Sequence, residues 1–270
     1  MISVSQILSA LAATPPSTNF GMPTENDLRR SALLYFLGAV IAALLALVSY
    51  FILIHLPLYL HCIPTREQVK MIQSLETDTN LIKATFNKIR ILAFAVGFVF
   101  FVTLSLFPSI TASIKSVVKV ENKSKFRQDY LFIPLHFLVN NVGDWFGRCI
   151  PSLQTFITTD PVKLAYMSIA RIIFFPIFLM CNVDVGSNGT RILPLVFNSD
   201  LIYFLTLWLF AVSNGYMGSL AMMAAPQVEG IKKDLAGTIM SFCLVFGLTI
   251  GSFFSFPIRA ISLGYNPIGN

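Results

Sequence analysis

Residues 130–156 read YLFIPLHFLVNNVGDWFGRCIPSLQTF, and the reading of the whole chain turns on them. The stretch is apolar enough and long enough to cross a bilayer, yet Asn140, Asn141, Asp144 and Arg148 stand near its middle. A charged side chain at the centre of a bilayer costs about 3 kcal/mol on insertion scales. Phe137, Asn141, Asp144 and Arg148 are spaced 4, 3 and 4 apart, the spacing of one stripe on one helix face. Such a stripe does not face lipid; it faces other helices or a watery cavity. Two readings are open and compatible. Asp144 and Arg148, at i and i+4, make a structural ion pair. Alternatively, an aromatic, an amide, an acid and a base on one stripe line the path of a small polar ligand with a flat ring.

The rest of the chain sets that stretch in a membrane. Of 270 residues, 55% are hydrophobic and only 12% charged, with a mean hydropathy of +0.73. Soluble domains carry about 25% charged residues. The chain is therefore read as an integral, all-α protein whose surroundings are the lipid bilayer. Its net charge of +6 comes from basic residues scattered among short loops, without the stripe that would bind nucleic acid. Some of them suit anionic headgroups. Cys62, Cys149, Cys181 and Cys243 are widely spread, with no CxxC and no histidine at ligand spacing, so no metal site, cofactor or disulfide framework is indicated. There is no G-x-S-x-G, no H-E-x-x-H and no pair of membrane aspartates, so the chain is not read as an enzyme.

In order, residues 1–14 are apolar but too short to span, and lack the basic start of a signal peptide. They read as a partial helix broken by Pro15 and Pro16. About six spans follow: Ser31 to Leu60, Ile89 to Ile114, the central stretch, Val162 to Cys181, Leu201 to Met223, and Ala236 to Ile258. Gly and Ala between Gly38 and Leu47 permit close helix contact. The polar connection 61–89 reads as a solvated loop. Phe107-Pro108 allows a kink near the end of the second span. Arg171 stands at the centre of the fourth and needs a partner inside the protein; Asp144 is the favoured one. Ser213-Asn214-Gly215-Tyr216 in the fifth reads either as small-residue packing or as site lining. Gly247 and Gly251 have a GxxxG spacing, which usually means helix packing. His136 neighbours the stripe, and a lone histidine in a membrane helix is more often a packing or hydrogen-bonding residue than a proton carrier.

Two glycosylation sequons, Asn122-Lys123-Ser124 and Asn188-Gly189-Thr190, lie in loops separated by two spans, which places them on one side. That side is expected to be extracellular or lumenal and the 61–89 loop cytosolic. The basic loop 112–129 is then an exception to the positive-inside tendency.

At Asp144-Trp145-Phe146-Gly147-Arg148 the sequence meets a known pattern. The chain resembles the equilibrative nucleoside transporters, whose C-terminal half carries N-x-x-D-W-x-G-R, matched here by Asn141 to Arg148. Phe107-Pro108, Ala170-Arg171 with Pro176 and Cys181-Asn182, the SNGY of residues 213–216, and Gly247-Leu248 to Arg259 resemble the family in the same order. The resemblance covers about Ile2 to Ser262. It implies one membrane domain over 1–270, a major-facilitator-like C-terminal bundle, and facilitative transport of nucleosides, in some members nucleobases. It also implies that Asp144 and Arg148 contact ribose hydroxyls, that Asn141 adds a polar contact, and that Phe107, Phe137 and Leu248 give apolar surface. Arg171, Ser213 and Asn214 are expected to serve structure or gating. By the same resemblance the chain runs from within the family's fifth helix through its eleventh, so it is expected to act with an N-terminal half. The alternative is a truncated, non-transporting membrane protein that pairs with full-length transporters. Of the membranes, the plasma membrane is expected rather than an internal one.

Overall fold

The computed structural model describes residues 25–57, 59, 79–117, 129–184 and 194–263. They fall into two units, 1–78 and 79–270. In the first, α1 (Glu25–His55) is a single helix, and none of its described side chains is buried. The partial helix expected over 1–14, both sequons and most of the 61–89 loop lie outside the described residues.

The second unit holds α2 (Thr79–Leu106), α3 (Asp129–Cys149), α4 (Pro161–Ala170), α5 (Phe174–Leu179), α6 (Asp200–Ala224) and α7 (Lys233–Leu263). α2 begins at Thr79 rather than Ile89. No proline or glycine interrupts Thr79 to Lys88, and Thr85 is already buried, so the helix runs on through residues expected in the loop. It stops at Leu106. Pro108 has no N–H to continue the ladder, and the chain turns into a 3-10 helix at Thr111–Ser113. α4 and α5 are one span interrupted by the 3-10 turn Arg171–Ile173. Pro176 explains the interruption, because it cannot donate to the carbonyl of Ile172, and the preceding turn tightens.

Among the described residues five helical segments are long and apolar enough to cross a membrane: Phe36–His55, Thr79–Ser113, Pro161–Leu179, Asp200–Gln227 and Lys233–Ser262. α3 falls outside that set. It is 21 residues long, but the amides and charges that make its stripe lower its apolarity. Of the six expected spans it is the one whose place rests on packing.

That packing is made by glycine. Gly143 lies against Ala211 and Trp208, and Gly147 against Val212 and Tyr216, so α3 and α6 run parallel with their backbones in near contact. Gly97, Gly247 and Gly251 do the same for α2 and α7: Gly247 meets the main chain of Gly97, and Gly251 that of Phe101. The GxxxG of α7 is thus a packing seam. Between the pairs, α2 and α6 cross antiparallel through side chains, with Phe100 against Gly218 and Thr103 against Asn214. Two apolar clusters fill the spaces. One gathers Ile89, Val96, Leu220, Leu235 and Met240; the other Val102, Ile114, Phe132, Phe178 and Phe210.

At one end the loop stems are tied together. Ile114 and Val183 form an isolated antiparallel bridge, and Asn182 donates to the carbonyl of Lys115. Asp200 accepts from the Ser116 hydroxyl and the Val117 N–H. The described stems end at Val117 and Asp184, and the sequons lie in the sequence beyond them. At the other end, Lys88 donates to the carbonyls of Glu229 and Gly230.

Candidate functional site

The stripe of α3 sits on the bundle as an open face. Arg148 Nε donates to Asp144 Oδ2 at 2.7 Å, with 48% of the Arg148 side chain and 21% of the Asp144 side chain exposed. The i, i+4 ion pair read from the sequence is therefore present, on a polar face of a largely apolar bundle. Asn141 turns its amide back and donates to the Phe137 carbonyl at 2.9 Å.

At the far end of the stripe the residues are aromatic. Phe107, just past α2, meets the Phe137 ring edge-on at 5.3 Å between centroids, and the buried His136 lies beneath both. His136 Nδ1 donates to the Ile133 carbonyl, and Nε2 is 3.5 Å from the Thr111 hydroxyl. Those contacts are the packing and hydrogen bonding expected of a lone membrane histidine. From Phe137 to Arg148 the stripe runs about 16 Å along the helix axis.

Behind the stripe lies a buried polar chain. Arg171 is 1% exposed, and the 3-10 turn between α4 and α5 aims it at α6. Its Nη1 donates to Asn214 Oδ1 at 3.2 Å. Its Nη2 donates to Thr103 Oγ1 at 3.1 Å and to the Phe210 carbonyl at 3.3 Å. The guanidinium carbon also sits 4.8 Å from the centroid of the Phe210 ring, a cation–π contact. Asn214 in turn donates from Nδ2 to Asp144 Oδ1 at 2.7 Å. Asp144, the partner favoured for Arg171, is reached through Asn214, whose amide is the direct partner. A buried guanidinium needs acceptors for its fork, and the register of α6 supplies an amide before the carboxylate.

The glycines bring these residues together. A Cβ on Gly215 would collide with the Asp144 carbonyl, so α6 approaches α3 directly beside Asn214. Within SNGY, Gly215 packs, as the packing reading expects, and Asn214 bonds to neighbouring side chains. Ser213 donates only to the Phe210 carbonyl of its own helix, and Tyr216 donates to the Phe156 carbonyl. Leu248 is half-buried on α7, next to Gly247, and so belongs to the α2–α7 pair rather than to the pair that carries the stripe. Thr103 was not singled out in the sequence. Its only signal there is a hydroxyl in an apolar helix, and such hydroxyls usually bond their own backbone, as this one also approaches Val99.

With these positions fixed, the comparison with known proteins is decisive. A profile of the family described as nucleoside transporter matches residues 64–260.

The chain belongs to the equilibrative nucleoside transporter family.

It is 36% identical over 186 residues to human equilibrative nucleoside transporter 1, covering 68% of this chain and 39% of the relative. To the rat protein of that name it is 32% identical over 265 residues, covering 87% of this chain and 56% of the relative. To human equilibrative nucleoside transporter 2 it is 30% identical over 283 residues, covering 89% of this chain and 60% of the relative. The chain therefore spans from about two-fifths to three-fifths of the length of these relatives. The residues that carried the family resemblance in the sequence, Asn141 to Arg148 and Ser213 to Tyr216, are those that the glycine seam of α3 and α6 holds side by side.

Proposed function

We propose that this chain takes part in facilitative transport of nucleosides, and in some cases nucleobases, down their gradient. The observation that carries the reading is the Asp144–Arg148 pair, bonded at 2.7 Å yet half open on the polar face of an apolar bundle. A carboxylate accepts and a guanidinium donates, which together match the two hydroxyls of a ribose. Asn141 adds a polar contact. Phe107 and Phe137, already edge-to-face, offer a wall to a flat base. Leu248, on α7 outside the α3–α6 pair, is an apolar contact that the family resemblance alone suggests. Asn122 and Asn188 are placed on the extracellular or lumenal side and the 61–89 connection in the cytosol, with the plasma membrane the expected site. The partners are the nucleoside, the bilayer and a second helical bundle, since alternating access moves one bundle against another around a midplane site.

Uptake of radiolabelled uridine and uracil in nucleoside-transport-deficient cells tests the reading. The chain is expressed alone and joined to the part of the rat relative that lies outside its match. Saturable uridine uptake by either form, weakened in Asp144→Ala more for uridine than for uracil, supports it. The expected penalty for uridine is about 1.5–3 kcal/mol, that of a hydrogen bond to a charged group. Equal loss for both, in a protein that reaches the membrane, removes Asp144 from the ligand site. No saturable uptake in any form removes the transport reading.

A further inference from the structure

We infer that Asn214 is a positioning residue for the ligand site, holding the Asp144 carboxylate in its binding orientation from inside the bundle. The inference rests on the reading that Asp144 meets the sugar.

The amide is the one group of its size with an acceptor at one end and a donor at the other. Here both ends are committed. Oδ1 lies 3.2 Å from Arg171 Nη1 and 2.7 Å from Thr103 Oγ1, between two donors. Nδ2 is thereby turned toward Asp144 Oδ1, at 2.7 Å. Flipping the amide would set Nδ2 against the guanidinium and Oδ1 against the carboxylate, two repulsions in a buried place where 7% of Asn214 is exposed. The orientation is fixed.

The consequence falls on Asp144. One oxygen, Oδ1, is tied inward to Asn214; the other, Oδ2, is on the open face with Arg148. A carboxylate anchored through one oxygen presents the other at a fixed angle, so less ordering is left to be done when a ligand arrives. The backbone keeps Asn214 beside Asp144, because Gly215 rests on the Asp144 main-chain carbonyl. By hydrogen bond, Arg171 and Thr103 reach Asp144 through Asn214.

A purely structural role would confine Asn214 to satisfying Arg171. Asn214→Asp separates the two roles. It keeps an acceptor for Arg171 and for the Thr103 hydroxyl, but replaces the donor facing Asp144 by a second acceptor. Uptake is measured with uridine and with 2′,3′-dideoxyuridine, which has no sugar diol, in the form that transports. The expected result is a uridine KM raised about tenfold, the loss of one charge-assisted hydrogen bond, with Vmax held within about twofold. The KM for the dideoxynucleoside stays unchanged. A uridine KM unchanged in Asn214→Asp, or an equal rise for both substrates, overturns the inference while leaving the transport reading intact. If Asn214→Asp does not reach the membrane, Thr103→Val carries the same test. It leaves the Asp144–Arg148 pair in place, loosens one hold on Oδ1 and leaves Arg171 Nη2 the Phe210 carbonyl, so a rise of about threefold for uridine alone is expected. An equal or absent effect again overturns the inference. A wild type with no saturable uptake of uridine removes the transport reading and this inference together.

Discussion

Gly215 of α6 rests against the carbonyl of Asp144 of α3, and a Cβ there would also come within 3.0 Å of the Arg148 nitrogen. The smallest possible enlargement therefore presses on the two residues of the proposed site. Gly215→Ala should cost about 1–3 kcal/mol or more, since the obstructing atoms are backbone and do not swing aside. Gly237 of α7 has nothing within 4 Å of its Cβ position, so Gly237→Ala should be neutral or stabilise by up to about 1 kcal/mol through helix propensity. Thermal unfolding of the two variants in detergent reads the contrast. Equal effects would mean that the α3–α6 seam is looser than described.

The Arg171 network predicts an asymmetric cycle. Asp144→Asn takes away the carboxylate that faces the buried guanidinium across Asn214, so it should cost less than the ~3–5 kcal/mol of breaking a directly paired buried charge. Arg171→Met removes that charge, while Asp144 still keeps Arg148 as a partner. The double variant should recover folded protein that Asp144→Asn alone loses, as read by fluorescence-detected size exclusion. A double variant no better than the sum of the singles would mean that Asn214 insulates the two charges from each other.

At the tied end of the bundle, two acidic residues should differ in weight. Asp200 holds the buried Ser116 hydroxyl and a backbone N–H, and Asp200→Ala should cost about 1–3 kcal/mol. Asp184 pairs with Lys115 at 2.7 Å, but both side chains are 41% exposed, so Asp184→Ala should stay within about 1 kcal/mol. Unfolding midpoints rank the two, and the reverse order would contradict the reading of this clamp.

The Ile114–Val183 bridge joins the stems that lead toward Asn122 and Asn188, so the two sequons are expected on one side of the membrane. Glycosylation mapping in microsomes with single-sequon variants should modify both sites or neither. One site modified while the other loop is open to cytosolic protease would overturn the topology.

Much of this architecture is legible in the sequence because lipid imposes long apolar runs. α1, α2, α6, α7 and the α4–α5 span all follow from that constraint. The stripe on α3 was legible for the opposite reason: Asp144 and Arg148 in such a run demand explanation. What the sequence hid is register between helices. Nothing in the spacing of Arg171, Asn214 and Asp144 along the chain says that the amide comes between the two charges. Gly143 and Gly147 frame the conspicuous acid and arginine, which drew the eye from a GxxxG as regular as that of α7. Thr103 looked like any hydroxyl in an apolar helix until α6 was laid across it.

The two kinds of helix contact have a mechanical consequence. Where backbone meets backbone, as in the pairs α2–α7 and α3–α6, the close contact leaves little room for the helices to slide, and each pair is expected to move as one plank. Where the planks adjoin, between α2 and α6, side chains bear the load, and side chains have rotamers to give. Shear within the bundle therefore concentrates along that joint. Thr103 and Asn214 meet across it, with Arg171 bonded to both from the α4–α5 turn, so sliding of one plank on the other would be passed through Asn214 to the carboxylate of Asp144.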